Sequence, residues 1–318
     1  MTLDPVLAEI LKAIPSEVEL PIDWPGQRAN AASLLPLILG PAPITEVAGV
    51  DARNIDGPGG PVPLRIYRPT KPTTITLHYI HGGGWTIGDL DTVDHTIRYL
   101  CEALPAVIVS STYRLAPEHP FPAAYEDSLA AAQWVLDNVD ALGGDVRQVV
   151  IAGDSAGGNL AATTAIGLRD AARERGETGP HPLKAQLLLY PSVDLRAEGW
   201  AFPSRVANAD PSLQADTLRA TADAYIGDSD PNDWRLSPLG AQDLSGLPPA
   251  LIVVLSVDPL RDEAIAYAER LRQAGGRAEV IEFSNLIHGF THLRRIIPAA
   301  AVASDEVLEQ FRSLLHTT

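Results

Sequence analysis

At 318 residues, 46% of them hydrophobic and 6% aromatic, the chain is long enough for one large α/β domain or two smaller ones around an ample core. Its 40 acidic residues against 24 basic ones leave a net charge of −16. That balance argues against nucleic acid and anionic membrane surfaces as partners, since both select basic patches. No apolar run approaches the ~20 residues that cross a bilayer, so no membrane insertion is expected. No basic segment followed by an apolar run opens the chain at Met1–Pro5, which argues against a signal peptide. The single cysteine, Cys101, excludes an intrachain disulfide and reads as a small core residue. These features together favour the cytoplasm.

In chain order, residues 1–43 have helical composition but are broken by Pro5, Pro15, Pro21, Pro25, Pro36, Pro41 and Pro43. From Ile44 onward strand and helix patterns alternate. Strands are predicted at 45–51, 62–68, 75–80, 106–111, 148–152, 185–190, 250–256 and 278–283, and helices at 91–103, 123–140, 157–174, 261–274 and 303–315. Such alternation predicts a mostly parallel sheet with helices on both faces. Residues 195–235 interrupt it with irregular and helical sequence between two strands. There is no internal repeat and no low-complexity tract.

Three segments carry candidate chemistry. Ser155 sits in Gly153-Asp154-Ser155-Ala156-Gly157, between the buried strand pattern Gln148–Ala152 and a helix pattern from Asn159. A serine at a sharp strand-to-helix turn flanked by glycines is the signature of an activated nucleophile; a helix-capping serine in a glycine-rich turn is the plainer alternative. Upstream, His81-Gly82-Gly83-Gly84-Trp85 follows another strand. Three consecutive glycines suit a turn whose backbone N–H groups approach a ligand, so Gly83, Gly84 and, beside the nucleophile, Ala156 are candidate oxyanion donors. The string lacks the ending of a P-loop and the spacing of a dinucleotide fingerprint. Asp258 and His288 follow the strands 251–255 and 278–283, on loops at strand carboxyl ends and in the order nucleophile, acid, base. His288 would take the Ser155 proton and Asp258 would fix the imidazole tautomer. Asp262 and Glu263 compete with Asp258 but fall in a helix first turn, where the helix dipole explains a carboxylate. His292 competes with His288 but has no glycine beside it. His78, His95, His119, His181 and His316 read as structural or surface residues, and no histidine pair has metal-ligand spacing, so neither a metal nor a cofactor is expected.

These strings, together with Tyr113–Ala124, Ser237-Pro238-Leu239, Leu247–Ala250, Asp258–Glu263 and His288-Gly289-Phe290, resemble the hormone-sensitive-lipase-like (family IV) bacterial carboxylesterases of the α/β-hydrolase superfamily. The resemblance runs in order over roughly residues 45 to 315. It departs at Ser256-Val257, where the family carries an acidic residue, and at Ala264, where glycine is frequent. It implies an α/β-hydrolase fold with an eight-stranded twisted sheet and a helical cap. The cap would be built from 1–43 and 195–235, over a catalytic core formed by 44–194 and 236–318. It also implies hydrolysis of small carboxylic esters, with short to medium acyl chains, through an acyl-enzyme, and a homodimer joined through the last strand and its helix. Trp85 is a candidate for lining the acyl pocket, simple packing being the alternative; Asp154 would brace the turn, and Tyr113, Arg114 and Glu118 read as scaffold. The same triad would serve a lactonase or an amidase, and a ligand-binding protein on this fold is the remaining alternative, disfavoured because all three triad residues are present.

Overall fold

The computed structural model describes residues 5–11, 21–207 and 210–317. Eight strands form one sheet: β1 (Gly49–Gly57), β2 (Gly60–Arg68), β3 (Thr76–Ile80), β4 (Val107–Ser111), β5 (Val149–Asp154), β6 (Ala185–Leu189), β7 (Ala250–Leu255) and β8 (Ala278–Phe283). Their order is β1-β2-β4-β3-β5-β6-β7-β8, with the first two pairings antiparallel and the rest parallel. Strands β3 to β7 are buried along their whole length. Their runs of valine, leucine and isoleucine therefore lack the alternation of a half-exposed sheet, as expected where helices cover both faces.

Successive residues of each strand face opposite sides, and the core divides accordingly. Val149 and Ile151 of β5 join a cluster with α4 (Ala123–Leu142), α5 (Ala156–Glu174) and α8 (Arg261–Gln273), through Val135, Leu160 and Tyr267. Val150 and Ala152 join the opposite cluster with α3 (Asp94–Ala103) and α9 (Pro298–His316), through Ile97, Val307 and Phe311. The sheet is thus clamped between two apolar layers, and its carboxyl edge carries the loops of interest.

Two elements differ from the sequence expectation. The first strand is displaced from 45–51 to Gly49–Gly57, closing a hairpin with β2 in which Gly57 pairs with Gly60. Only Ile55 of β1 is buried, so ladder hydrogen bonds rather than apolar burial hold this edge strand, and apolar periodicity loses it. The last helix starts at Pro298 instead of 303, with the proline in its first turn, where its missing N–H costs nothing.

Beyond the alternating elements lie α1 (Pro5–Leu11), α2 (Trp24–Leu39) and, between β6 and β7, α6 (Pro203–Ala207) and α7 (Ala215–Ile226). No side chain of α2 is buried. It is held by Arg28, which donates to the carbonyls of Thr86 (2.8 Å) and Ala116 (2.9 Å) and pairs with Glu118 (2.6 Å), and by Arg295, which donates to the carbonyls of Leu39 and Pro43. Helix α6 is anchored on α8: Ser204 Oγ donates to the Pro259 carbonyl, its N–H donates to Asp262, and Arg205 pairs with Glu263 at full burial. Burial pushes the Glu263 carboxyl up to about 7 against the pull of Arg205 and the Val193 N–H. The acidic pair at the start of α8 therefore fixes the inserted segment as well as facing the helix dipole. Among the described residues no helix is long and apolar enough to cross a membrane.

Candidate active site

Ser155 is the single residue between β5 and α5, and its backbone has φ 54° and ψ −119°. That conformation is strained for a residue with a Cβ, and the chain tolerates it because the surroundings leave no alternative. The neighbouring glycines explain why. A side chain at Gly153 would overlap the Gly157 carbonyl, and one at Gly157 would overlap the carbonyls of Ile80 and His81, so the turn lies directly against the end of β3. The Ser155 N–H donates to the Leu189 carbonyl at 2.8 Å, fixing the turn against β6 as well.

His288 Nε2 lies 2.8 Å from Ser155 Oγ, and His288 Nδ1 lies 2.7 Å from Asp258 Oδ2. The other Asp258 oxygen accepts the Leu260 N–H at 2.8 Å, and the carboxylate is 1% exposed. Burial alone would depress the His288 pKa; the charge and hydrogen bond of Asp258, aided by Asp210 and Asp154, outweigh it and raise the value above that of a free imidazole. The three residues, 133 and 30 positions apart along the chain, meet in one hydrogen-bonded line.

Asp154 ties this line to the glycine turn. Its Oδ1 accepts the Tyr79 hydroxyl (2.7 Å) and the Gly82 N–H (3.0 Å), and its Oδ2 faces His292 Nε2 at 3.1 Å. Although burial opposes ionisation, His292 and Tyr79 hold the Asp154 pKa below its usual range. Within the glycine turn, Gly83 and Gly84 have φ of 110° and 57°, and the Gly83 carbonyl accepts the N–H groups of Thr86 and Ile87 at 3.0 Å. A side chain at Gly83 would overlap the Ile87 carbonyl, and one at Gly84 would come within 2.9 Å of Thr221 on α7. Among the described residues, the N–H groups of Gly83, Gly84 and Ala156 have no hydrogen-bond acceptor. Donors left free beside a serine, Gly83 and Gly84 half-buried and Ala156 buried, are the chemical requirement for holding a developing oxyanion.

Trp85 is 1% exposed and stacks face to face on Tyr225 of α7 at 4.5 Å. It fills the seam between the glycine turn and the inserted helix. His292 does not reach the serine; it belongs to a supporting group with Asp154, Thr96 and His95. His78 and His181 are structural, bonded to Ser111 and to the Ala165 carbonyl, and burial lowers their pKa values to about 3 and about 4. Tyr113 donates to the His81 carbonyl and Arg114 pairs with Asp127, in keeping with scaffold roles. Cys101 is buried, and its thiol is pushed up to about 12. No group of His, Cys, Asp and Glu among the described residues has the arrangement of a metal site.

Two residues near the imidazole were not singled out from sequence. Tyr190, with φ 39°, presents its ring edgewise to His288 at 4.8 Å. Asp210, from the inserted segment, accepts the His288 backbone N–H at 2.6 Å. Neither lies in a recognisable string; Tyr190 carries only the signal of closing a buried strand.

The family described as alpha/beta hydrolase fold matches residues 77–292. The chain is 39% identical to Esterase LipI of Mycobacterium tuberculosis (strain ATCC 25618 / H37Rv), over 99% of this chain and 96% of that protein. It is 40% identical to Carboxylesterase NlhH of the same organism, over 80% of this chain and 79% of that protein. A solved hyperthermophilic esterase from the archaeon Pyrobaculum calidifontis superposes with a TM-score of 0.88 at 38% identity, each chain being covered to 99%.

Proposed function

The chain belongs to the alpha/beta hydrolase fold family, in its hormone-sensitive-lipase-like branch, and we propose that Ser155, His288 and Asp258 carry its hydrolysis of carboxylic esters. It is a carboxylic ester hydrolase. What supports the assignment of residues is the line from Ser155 Oγ to His288 Nε2 (2.8 Å) and from His288 Nδ1 to Asp258 Oδ2 (2.7 Å).

In this reading His288 Nε2 takes the Ser155 proton as Oγ forms a bond to the ester carbonyl carbon. The oxygen that becomes negative is held by the N–H groups of Gly83, Gly84 and Ala156. Collapse breaks the bond to the alcohol, which leaves with the proton from His288. Water, deprotonated by His288, then releases the acid and restores the serine. Asp258 keeps the proton on Nδ1 throughout and stabilises the imidazolium. In this reading the described parts of 1–43 and 195–235 form the cap, over a body made of the described parts of 44–194 and 236–318; residues 1–4, 12–20, 208, 209 and 318 of these ranges lie outside the described residues. Trp85 backs the acyl side of the glycine turn through its stack on Tyr225. Residence in the cytoplasm and a homodimer joined along β8 complete the reading; light scattering after gel filtration tests the second.

The substrate class is small esters of short to medium acyl chains. A p-nitrophenyl series from acetate to palmitate should peak at or below the middle lengths; a maximum at palmitate overturns the chain-length assignment. A fluorophosphonate should label Ser155 covalently, whereas a ligand-binding protein with an inert serine would not react.

Gly83→Ala tests the oxyanion turn. A φ of 110° is closed to alanine, and its Cβ would overlap the Ile87 carbonyl. Alanine keeps the N–H but cannot keep the turn that aims it, and losing one aimed donor typically costs ~100- to 1000-fold in turnover. We expect kcat to fall by at least that much while circular dichroism reports an intact fold. A variant keeping more than about a tenth of its turnover would remove Gly83 from the mechanism.

A further inference from the structure

Asp210 is 2% exposed and sits on the segment inserted between β6 and β7, outside every motif that marks the site. Its Oδ2 accepts the His288 N–H at 2.6 Å, while Oδ1 accepts the N–H (2.8 Å) and hydroxyl (2.6 Å) of Ser212. Among the described residues no arginine or lysine forms an ion pair with it. A buried carboxylate without a cation is costly, and burial accordingly raises its own pKa despite three hydrogen bonds. A buried peptide N–H needs only a neutral acceptor, so satisfying the His288 backbone does not by itself call for a charge.

The groups facing His288 come from four places. Asp258 reaches it from the loop after β7, Asp154 from the end of β5 and Tyr190 from the end of β6; Asp210 reaches it from the insertion. The loop itself is permissive: Gly289 follows at φ 74°, and a side chain there would meet nothing within 4 Å. Contacts from outside the loop therefore hold His288 within reach of Ser155: Asp258 fixes the imidazole ring, and Asp210 fixes the backbone that carries it.

We propose that Asp210 is a positioning residue for His288, fixing the histidine loop from the inserted segment so that the triad is fully assembled only when that segment is seated. This rests on the assignment of His288 as the base. Lifting the segment would release the His288 N–H and remove one negative charge from its surroundings. Seating and catalytic competence are then one event, although Asp210 touches no reacting atom.

Asp210→Ala removes both tether and charge; Asp210→Asn keeps the volume and one acceptor oxygen but not the charge. The Ala variant should lose ~10- to 100-fold in kcat, the scale on which misplacement of a catalytic group acts, with KM changed much less. The Asn variant should lose less. In both, the acidic limb of the kcat–pH profile should move to lower pH, because His288 loses an anionic neighbour and becomes easier to deprotonate. Wild-type kcat in both variants, or a fall in kcat with the acidic limb unmoved, overturns the proposal. Fluorophosphonate labelling of the wild-type enzyme, absent in Ser155→Ala, runs alongside. If that control holds while the Asp210 variants behave as wild type, only the Asp210 inference fails; if the wild type is not labelled, the site assignment itself fails.

Discussion

Ser155→Ala is expected to lower kcat/KM by about a million-fold, because Ser155 Oγ is the hydroxyl that His288 Nε2 faces, and removing the nucleophile of such a triad disables the unit rather than one third of it. The residual rate should reflect the free N–H groups of the glycine turn acting on bound ester. The same position carries a second, independent signature. Ser155 adopts φ 54° and ψ −119°, a conformation costing a residue with a Cβ roughly 1–3 kcal/mol. Glycine avoids that cost but gives back about 0.5–1 kcal/mol through its freer unfolded chain. Ser155→Gly should therefore be as inactive as the alanine variant yet more stable by about 1 kcal/mol, read from equilibrium urea unfolding. An alanine variant within about tenfold of wild type would dispose of the nucleophile. A glycine variant no more stable than the alanine one would show that the turn stores no strain.

The sheet was readable from sequence because strands buried on both faces must be continuously apolar, and β3 to β7 are. The edge strand β1 escapes the apolar pattern because its residues from Val50 to Asn54 are exposed and only Ile55 is buried, so its pairing with β2 leaves almost no apolar trace. The proximity of Ser155, His288 and Asp258 was readable for a related reason: parallel topology brings the carboxyl ends of β5, β7 and β8 to one edge, whatever their separation in the chain. What sequence did not disclose lies in the insertion. Asp210 and Arg205 sit in stretches without periodicity, and their partners, His288 and Glu263, are 78 and 58 residues away. Glu263 had an adequate local explanation in the helix dipole, which hid its buried pairing with Arg205. His292 reads locally as a competing base, and nothing local tells of its contact with Asp154. In each case a charged side chain had a sufficient explanation nearby and a second one across the fold.

Asp258→Asn is expected to cost about ten-thousand-fold in kcat, and the geometry says why a neutral isostere fails. One oxygen of Asp258 accepts the Leu260 N–H at 2.8 Å, so the asparagine carbonyl will take that place and turn its NH2 toward His288 Nδ1. An amide donor there demands an unprotonated Nδ1, which puts the imidazole proton on Nε2, facing Ser155 Oγ. The base then points a hydrogen at the hydroxyl it must deprotonate. The pH dependence gives a separate reading. Burial would lower the His288 pKa, and Asp258 is the chief influence that lifts it instead. In the wild type the acidic limb of kcat/KM should accordingly lie above the ~6.5 of a free imidazole. In Asp258→Asn it should fall to lower pH while the plateau drops. The two effects oppose each other on the acid side, so the ratio of wild-type to variant rates should narrow as pH falls. A variant whose plateau drops by less than about tenfold, or whose acidic limb stays with the wild type, would mean that the carboxylate only packs against the ring.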